Sequence, residues 1–166
     1  MKIEHLEERV NEYKNSIKTV VEKRILWNTQ IKFLIIKVLK DAEKTYNIGW
    51  RVQELNWIHT NEAVNITFDS FPPEMIEKTN LIPSFQFLKG GSLVFSQMYN
   101  GDVEIFIVFP IIENWNALDD DLIEMGTYTP TQVTEILVTE KIDEFLKEMI
   151  KWEVPLLKTK LGFRTQ

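Results

Sequence analysis

Apolar side chains recur along the first part of the chain in alternating steps of three and four: Ile3, Leu6, Val10, Tyr13, Ile17 and Val20, then Arg24 where an apolar residue is due, then Trp27, Ile31, Leu34 and Val38. This is a heptad stripe on one side of an α-helix with a single charged interruption. The first glycine is Gly49 and the first proline Pro72, so no strong helix breaker falls within the stripe. Off the stripe residues 1–24 are mostly polar, whereas Ile25, Leu26, Phe33, Ile35, Ile36 and Leu39 widen the apolar surface in the second half. A narrow stripe needs one neighbour, and a wide one is buried on more than one side. One helix over residues 3–46 is on the order of 60 Å long at about 1.5 Å per residue, so it must protrude from a domain of this size or find a partner. A helical hairpin bent at Asn28-Thr29-Gln30 is the alternative; the heptad phase carried across those residues favours one long, slightly kinked helix.

From Ile48 the period becomes two. Ile48, Trp50 and Val52 alternate, Leu55 and Trp57 alternate on the other parity, and Val64, Ile66 and Phe68 follow. Residues 50–59 and 63–69 are therefore expected to form a strand hairpin, with a bulge near Glu54 to account for the change of parity. Phe71-Pro72-Pro73 ends it, residues 74–83 hold at most a helical turn, and a short strand is expected near Phe85 and Phe87. Asn100-Gly101 between alternating apolar runs predicts a two-residue hairpin turn joining Ser92–Tyr99 to Asp102–Phe109. That turn sets Tyr99 opposite Asp102, Gln97 opposite Glu104, Phe95 opposite Phe106 and Leu93 opposite Val108. The other face, with Ser92 and Ser96 among large apolar groups, then has room for a packed helix. The far end of Val103–Phe109 is apolar on both sides and reads as a central strand.

Residues 113–128 read as a long acidic loop with Gly126 near its end. Thr129-Pro130-Thr131-Gln132 is a helix start, with Thr as cap and Gln three residues on. Val133, Ile136 and Leu137 fall on one helix face, while Val138, Ile142, Phe145, Leu146, Met149 and Trp152 fall nearly opposite. The expectation is a short helix, then a second one after Thr139 that covers the sheet, ending at Val154-Pro155-Leu156. The element order gives an α+β fold: a four- or five-stranded, mainly antiparallel sheet with a long N-terminal helix (or helical hairpin) and C-terminal helices packed on it. No repeat or linker divides the chain, so 1–166 reads as one domain, with 1–46 a helical arm and 48–166 the body.

Composition narrows the chemistry. The 166 residues carry 19 Lys and Arg against 25 Asp and Glu, a formal charge of -6, and no cysteine. A chain of this length buries roughly 70% of its unfolded surface without needing a disulfide or metal. Lack of cysteine removes thiolate nucleophiles, cysteine-bound zinc and iron–sulfur clusters, and two histidines, His5 and His59, leave little for a metal site or a hydrolase triad. Residues 101–166 hold six basic and thirteen acidic side chains, while residues 1–50 hold ten basic and seven acidic ones, interleaved. No basic tract marks a nucleic-acid face, so nucleic acid is not expected as a partner. The longest apolar stretch, Ile105–Ile112, includes Pro110 and falls short of the roughly 18 residues of a membrane span. The charged start, Met1–Arg9, lacks the apolar run of a secretory signal, and a cytoplasmic location is the default expectation.

Each candidate constellation has an ordinary reading beside it. Gln97, Tyr99, Asp102 and Glu104 share one end of the expected hairpin face, where an amide, a phenol and two carboxylates could hold a ligand; half-exposed hairpin ends commonly have this composition. Trp115, in an acidic loop, is a candidate interface anchor or a core residue. Asp119-Asp120-Asp121 lacks the alternating spacing and bend glycine of a calcium loop and reads as a solvated loop or helix cap. His59, near Glu54, Glu62 and Asp69, has no nucleophile or metal to serve and reads as a surface histidine. Gly90-Gly91 precedes a strand, where phosphate loops precede a helix. No catalytic, metal-ligating or cofactor-binding residue is expected, and no cofactor. The favoured function is a non-enzymatic protein-interaction module that self-associates, as a homodimer through Ile3, Leu6, Val10, Tyr13, Ile17 and Val20, or binds a protein partner. An inhibitor or immunity-type protein whose acidic surface meets a basic partner is one version of it. The alternative is a small-ligand-binding domain or an atypical enzyme using carboxylates and Tyr99 at the hairpin end.

Overall fold

The computed structural model describes residues 2–56, 61–79, 81, 90–110 and 122–153. A 3-10 turn at Ile3–Leu6 leads into helix α1 (Glu7–Leu26), which continues through a π-helical turn at Trp27–Ile31 into α2 (Lys32–Thr45). Together they are the single long helix favoured over a hairpin. Among the described residues five strands follow: β1 (Trp50–Asn56), β2 (Glu62–Phe68), β3 (Ser92–Gln97), β4 (Val103–Val108) and β5 (Leu122–Tyr128). A short helix, α3 (Ile76–Thr79), lies between β2 and β3, and α4 (Glu135–Glu153) follows β5. The strands form one antiparallel sheet in chain order, so the fold is α+β.

Helices cover one sheet face. α2 lies over β1 and β2, α4 over β3, and the two helices meet each other. Beneath them Val64, Ile66, Leu93, Phe95, Val103, Ile105 and Ile107 join Ile35, Leu39, Val138 and Phe145 in one buried core. Phe145 is fully buried with Ile142 and Met149 nearly so, as the stripe on the C-terminal segment requires. Side chains of this size contribute roughly 1.5–3 kcal/mol each when fully removed from water. Phe68 bridges Trp50 and Phe145, with ring centroids 5.7 and 5.6 Å apart. The opposite face carries a smaller cluster of Ala63, Val94 and Phe106 with Leu55 and Val108 against it.

Several sequence expectations are corrected. The parity change near Glu54 is no bulge: β1 pairs with β2 without interruption from Trp50↔Phe68 to Asn56↔Glu62, and Leu55 points to the smaller cluster opposite Ala63. Residues 122–128, read as loop, form edge strand β5, whose Ile123, Met125 and Tyr128 reach the core across a bulge beside Glu104 and Phe106. The C-terminal segment is one helix, not two. Thr129 and Gln132 make their capping box around the 3-10 turn Pro130–Gln132, and Thr134 Oγ1 accepts the Leu137 N–H to start α4. The conflict of faces disappears because Val133 precedes α4 and Ile136 is left 72% exposed. Trp57, His59, Phe85, Phe87, Trp115 and Asp119–Asp121 lie outside the described residues, so the strand expected near Phe85 and Phe87 does too.

Candidate protein-interaction surface

Helix α1 leaves the body where it crosses the tip of the β3–β4 hairpin. The hairpin loop has three residues, Tyr99, Asn100 and Gly101, closed by Met98 N–H to Asp102 O at 2.8 Å and Gly101 N–H to Met98 O at 3.0 Å. Asn100 Oδ1 accepts the Asp102 N–H and Asn100 Nδ2 donates to Asp102 Oδ2, each at 3.0 Å. Gly101 adopts φ +89°, and a Cβ there would stand 2.5 Å from Lys23 Cβ and 3.3 Å from Val20 O. Glycine is thus required twice, for its dihedral and for the approach of the helix.

Two helix residues fasten this crossing. Lys23 Nζ pairs with Asp102 Oδ1 at 2.9 Å, with about a fifth of each side chain exposed. Arg24 Nη1 donates to Met98 O at 3.2 Å, to Tyr99 O at 3.4 Å and to Asn61 Oδ1 at 3.3 Å. The charged interruption of the stripe is therefore the point of attachment. Its guanidinium ties the helix to backbone carbonyls at the turn.

Beyond the crossing, residues 2–19 are all exposed. Ile3, Leu6, Val10, Tyr13 and Ile17 are each between 47% and 83% exposed, and Val20 is half-buried where the stripe reaches the hairpin. An isolated helix of this length has little stability of its own in water, so an apolar stripe along it marks a surface that gains from being covered. The candidate oligomer contacts named from the sequence thus share one projecting face.

The candidate ligand set does not converge. Registers differ by one residue from expectation: Gln97 pairs with Val103 and Ser96 with Glu104, where Gln97 had been set opposite Glu104. Neighbouring residues of a strand point to opposite faces, so Gln97 and Glu104 lie on opposite sides of the sheet. Gln97 is 4% exposed on the helix-covered side, and its Nε2 has no hydrogen-bond partner. Tyr99 is 66% exposed in the loop, and Asp102 is held by Lys23. The physical reason lies in the strands: the observed register puts Leu93 beside Ile107 and Phe95 beside Ile105 under the helices, whereas the expected one would have placed Ser96 against Ile105. For the same reason the serine face is the one the helices do not cover.

Lys37 and Lys141 both titrate above the ordinary lysine value. For Lys37 the causes are a hydrogen bond to Glu135 and its charge, which joins α2 to α4 at 3.1 Å. For Lys141 burial pulls downward, and hydrogen bonds to Tyr128 and Glu144 more than offset it. Both shifts favour the charged ammonium, which is the form that makes these ion pairs. No cluster of three or more His, Asp or Glu poised around a metal occurs among the described residues, and no described helix is long and apolar enough to cross a membrane. No family model, curated protein or solved structure matches the chain.

Proposed function

We propose that the chain is a non-enzymatic protein-interaction module whose contact surface is the apolar stripe of the projecting helix. The observation that carries this reading is the exposure of Ile3, Leu6, Val10, Tyr13 and Ile17 on one face beyond the hairpin crossing. The register that splits Gln97 from Glu104 supports this reading over the small-ligand alternative. Light scattering on the full chain and on Leu6→Glu with Ile17→Glu tests the reading. The full chain is expected to exceed 19.6 kDa at micromolar concentration, and the double variant to return to that mass with its circular dichroism kept. A full chain monomeric at high micromolar concentration, or equal association in the variant, would remove the stripe from the mechanism.

A further inference from the structure

We infer that the arm's occupant is the arm of a second copy of this chain, running antiparallel. The inference rests on the reading of the stripe as a contact surface and goes on to name its partner. Charge along the arm is segregated. Residues 3–11 contain Glu4, Glu7 and Glu8 with Arg9, one positive against three negative, or -2; residues 12–20 contain Lys14 and Lys18 with Glu12, two positive against one negative, or +1. Parallel arms would keep the two acid-rich halves together and the two base-rich halves together, whereas reversal sets each half against its complement.

The heptad fixes the register of the reversed pair. In an antiparallel pair each a position layers against a d position of the other helix, so Val10 layers on Tyr13, Ile3 on Val20 and Leu6 on Ile17 of the second copy. All six stripe residues are then used, the two-fold axis passes between residues 11 and 12, and the large Tyr13 meets the small Val10. On one flank Glu7 stands beside Lys14 of the second copy, twice by symmetry. On the other flank Arg9 meets Ser16, and Lys2 meets Lys23, whose charge Asp102 already holds. Parallel arms would pair Lys2 with Glu7 but set Arg9 against Lys14. From Ile3 to Val20 the shared rod is about 25 Å long at about 1.5 Å per residue, with one body at each end.

Because the chain has no cysteine, Val10→Cys and Tyr13→Cys each introduce a single thiol. Mixed in a glutathione redox buffer, the two variants are expected to form the cross-disulfide between them in preference to either self-disulfide, since only the reversed layer brings these two positions within disulfide reach. Lys14→Glu is expected to weaken dimerisation severalfold by facing Glu7, and adding Glu7→Lys to restore it. In a parallel pair Lys14→Glu would instead strengthen it, by facing Arg9. Self-disulfides in each variant alone, or tighter association in Lys14→Glu, would overturn the antiparallel order and leave the stripe as the contact surface. Monomeric mass of the unmodified chain at high micromolar concentration, with no cross-link in any mixture, would overturn both.

Discussion

One helix carries two kinds of apolar surface, and the contrast between them explains the molecule's shape. Over residues 3–20 the apolar positions form a narrow heptad stripe bounded by charge, and that half stands clear of the body. Over residues 27–45 the apolar surface is broad, and Trp27, Ile31, Ile35 and Leu39 are buried against the sheet. A sheet face is wide and accepts a wide helix face, whereas a second helix accepts a seam. The two halves also differ in step. The buried residues advance by four, where the heptad calls for Leu34 and Val38, which are only half-buried. The π turn at Trp27–Ile31 lies where the helix passes from one kind of surface to the other. Arg24 and Lys23 stand at the boundary and bind the hairpin tip.

The largest effect should come from the body half. Trp27 is fully buried, and Trp27→Ala removes the greatest volume of any residue in its row, so it is expected to cost about 3–5 kcal/mol in urea unfolding. A cost below about 1 kcal/mol would mean that α2 is held by something other than this row and would dissolve the contrast. An intermediate effect is expected at the junction. Gly101→Val must place a β-branched residue at φ +89° and push it into Lys23 Cβ, for a loss of about 2 kcal/mol or more. Amide exchange should then accelerate in residues 20–26 ahead of the sheet, and equal acceleration in β2 and β3 would show that the junction is not a separable unit.

How far this contrast could be read in advance follows from what each half depends on. The arm is governed by local pattern: its stripe and its length were legible in spacing alone, and the same spacing favoured a continuous helix over a hairpin. The sheet depends on pairing between distant segments. Alternation identified β2, β3 and β4, but the hairpin register slipped because Asn-Gly was read as a two-residue turn, while packing of α1 against Gly101 and collection of Leu93, Phe95, Ile105 and Ile107 on one face select a three-residue loop. That slip of one position is what separates Gln97 from Glu104. β5 was missed because only Ile123 and Met125 alternate before Gly126 and the bulge. In the same way Leu55 looked out of phase until Ala63, Val94 and Phe106 gave it a second apolar cluster to face. The attachment role of Arg24 had one local sign, a cation placed on an otherwise apolar seam, and no sequence rule identifies the backbone carbonyls it meets.

The smallest effect on intrinsic stability should come from the arm, and its dependence on concentration is what sharpens the comparison. Val10 is 47% exposed and beyond the hairpin crossing, so Val10→Glu in dilute solution should change the unfolding free energy by no more than about 0.5 kcal/mol, as for surface sites generally. On the proposed pairing, association adds stability by mass action, since the second copy would bind the folded arm and not the unfolded chain. The melting temperature of the unmodified chain should therefore climb as its concentration rises, while that of Val10→Glu stays flat and meets the unmodified value at high dilution. Differential scanning calorimetry over a hundredfold range of concentration reads both curves. A flat curve for the unmodified chain would mean that the arm adds nothing by association, and a dilute-limit loss as large as that for Trp27→Ala would mean that Val10 is packed within its own chain. Convergence at dilution with divergence at high concentration is the behaviour of a helix whose two halves have different partners, one in its own sheet and one in another molecule.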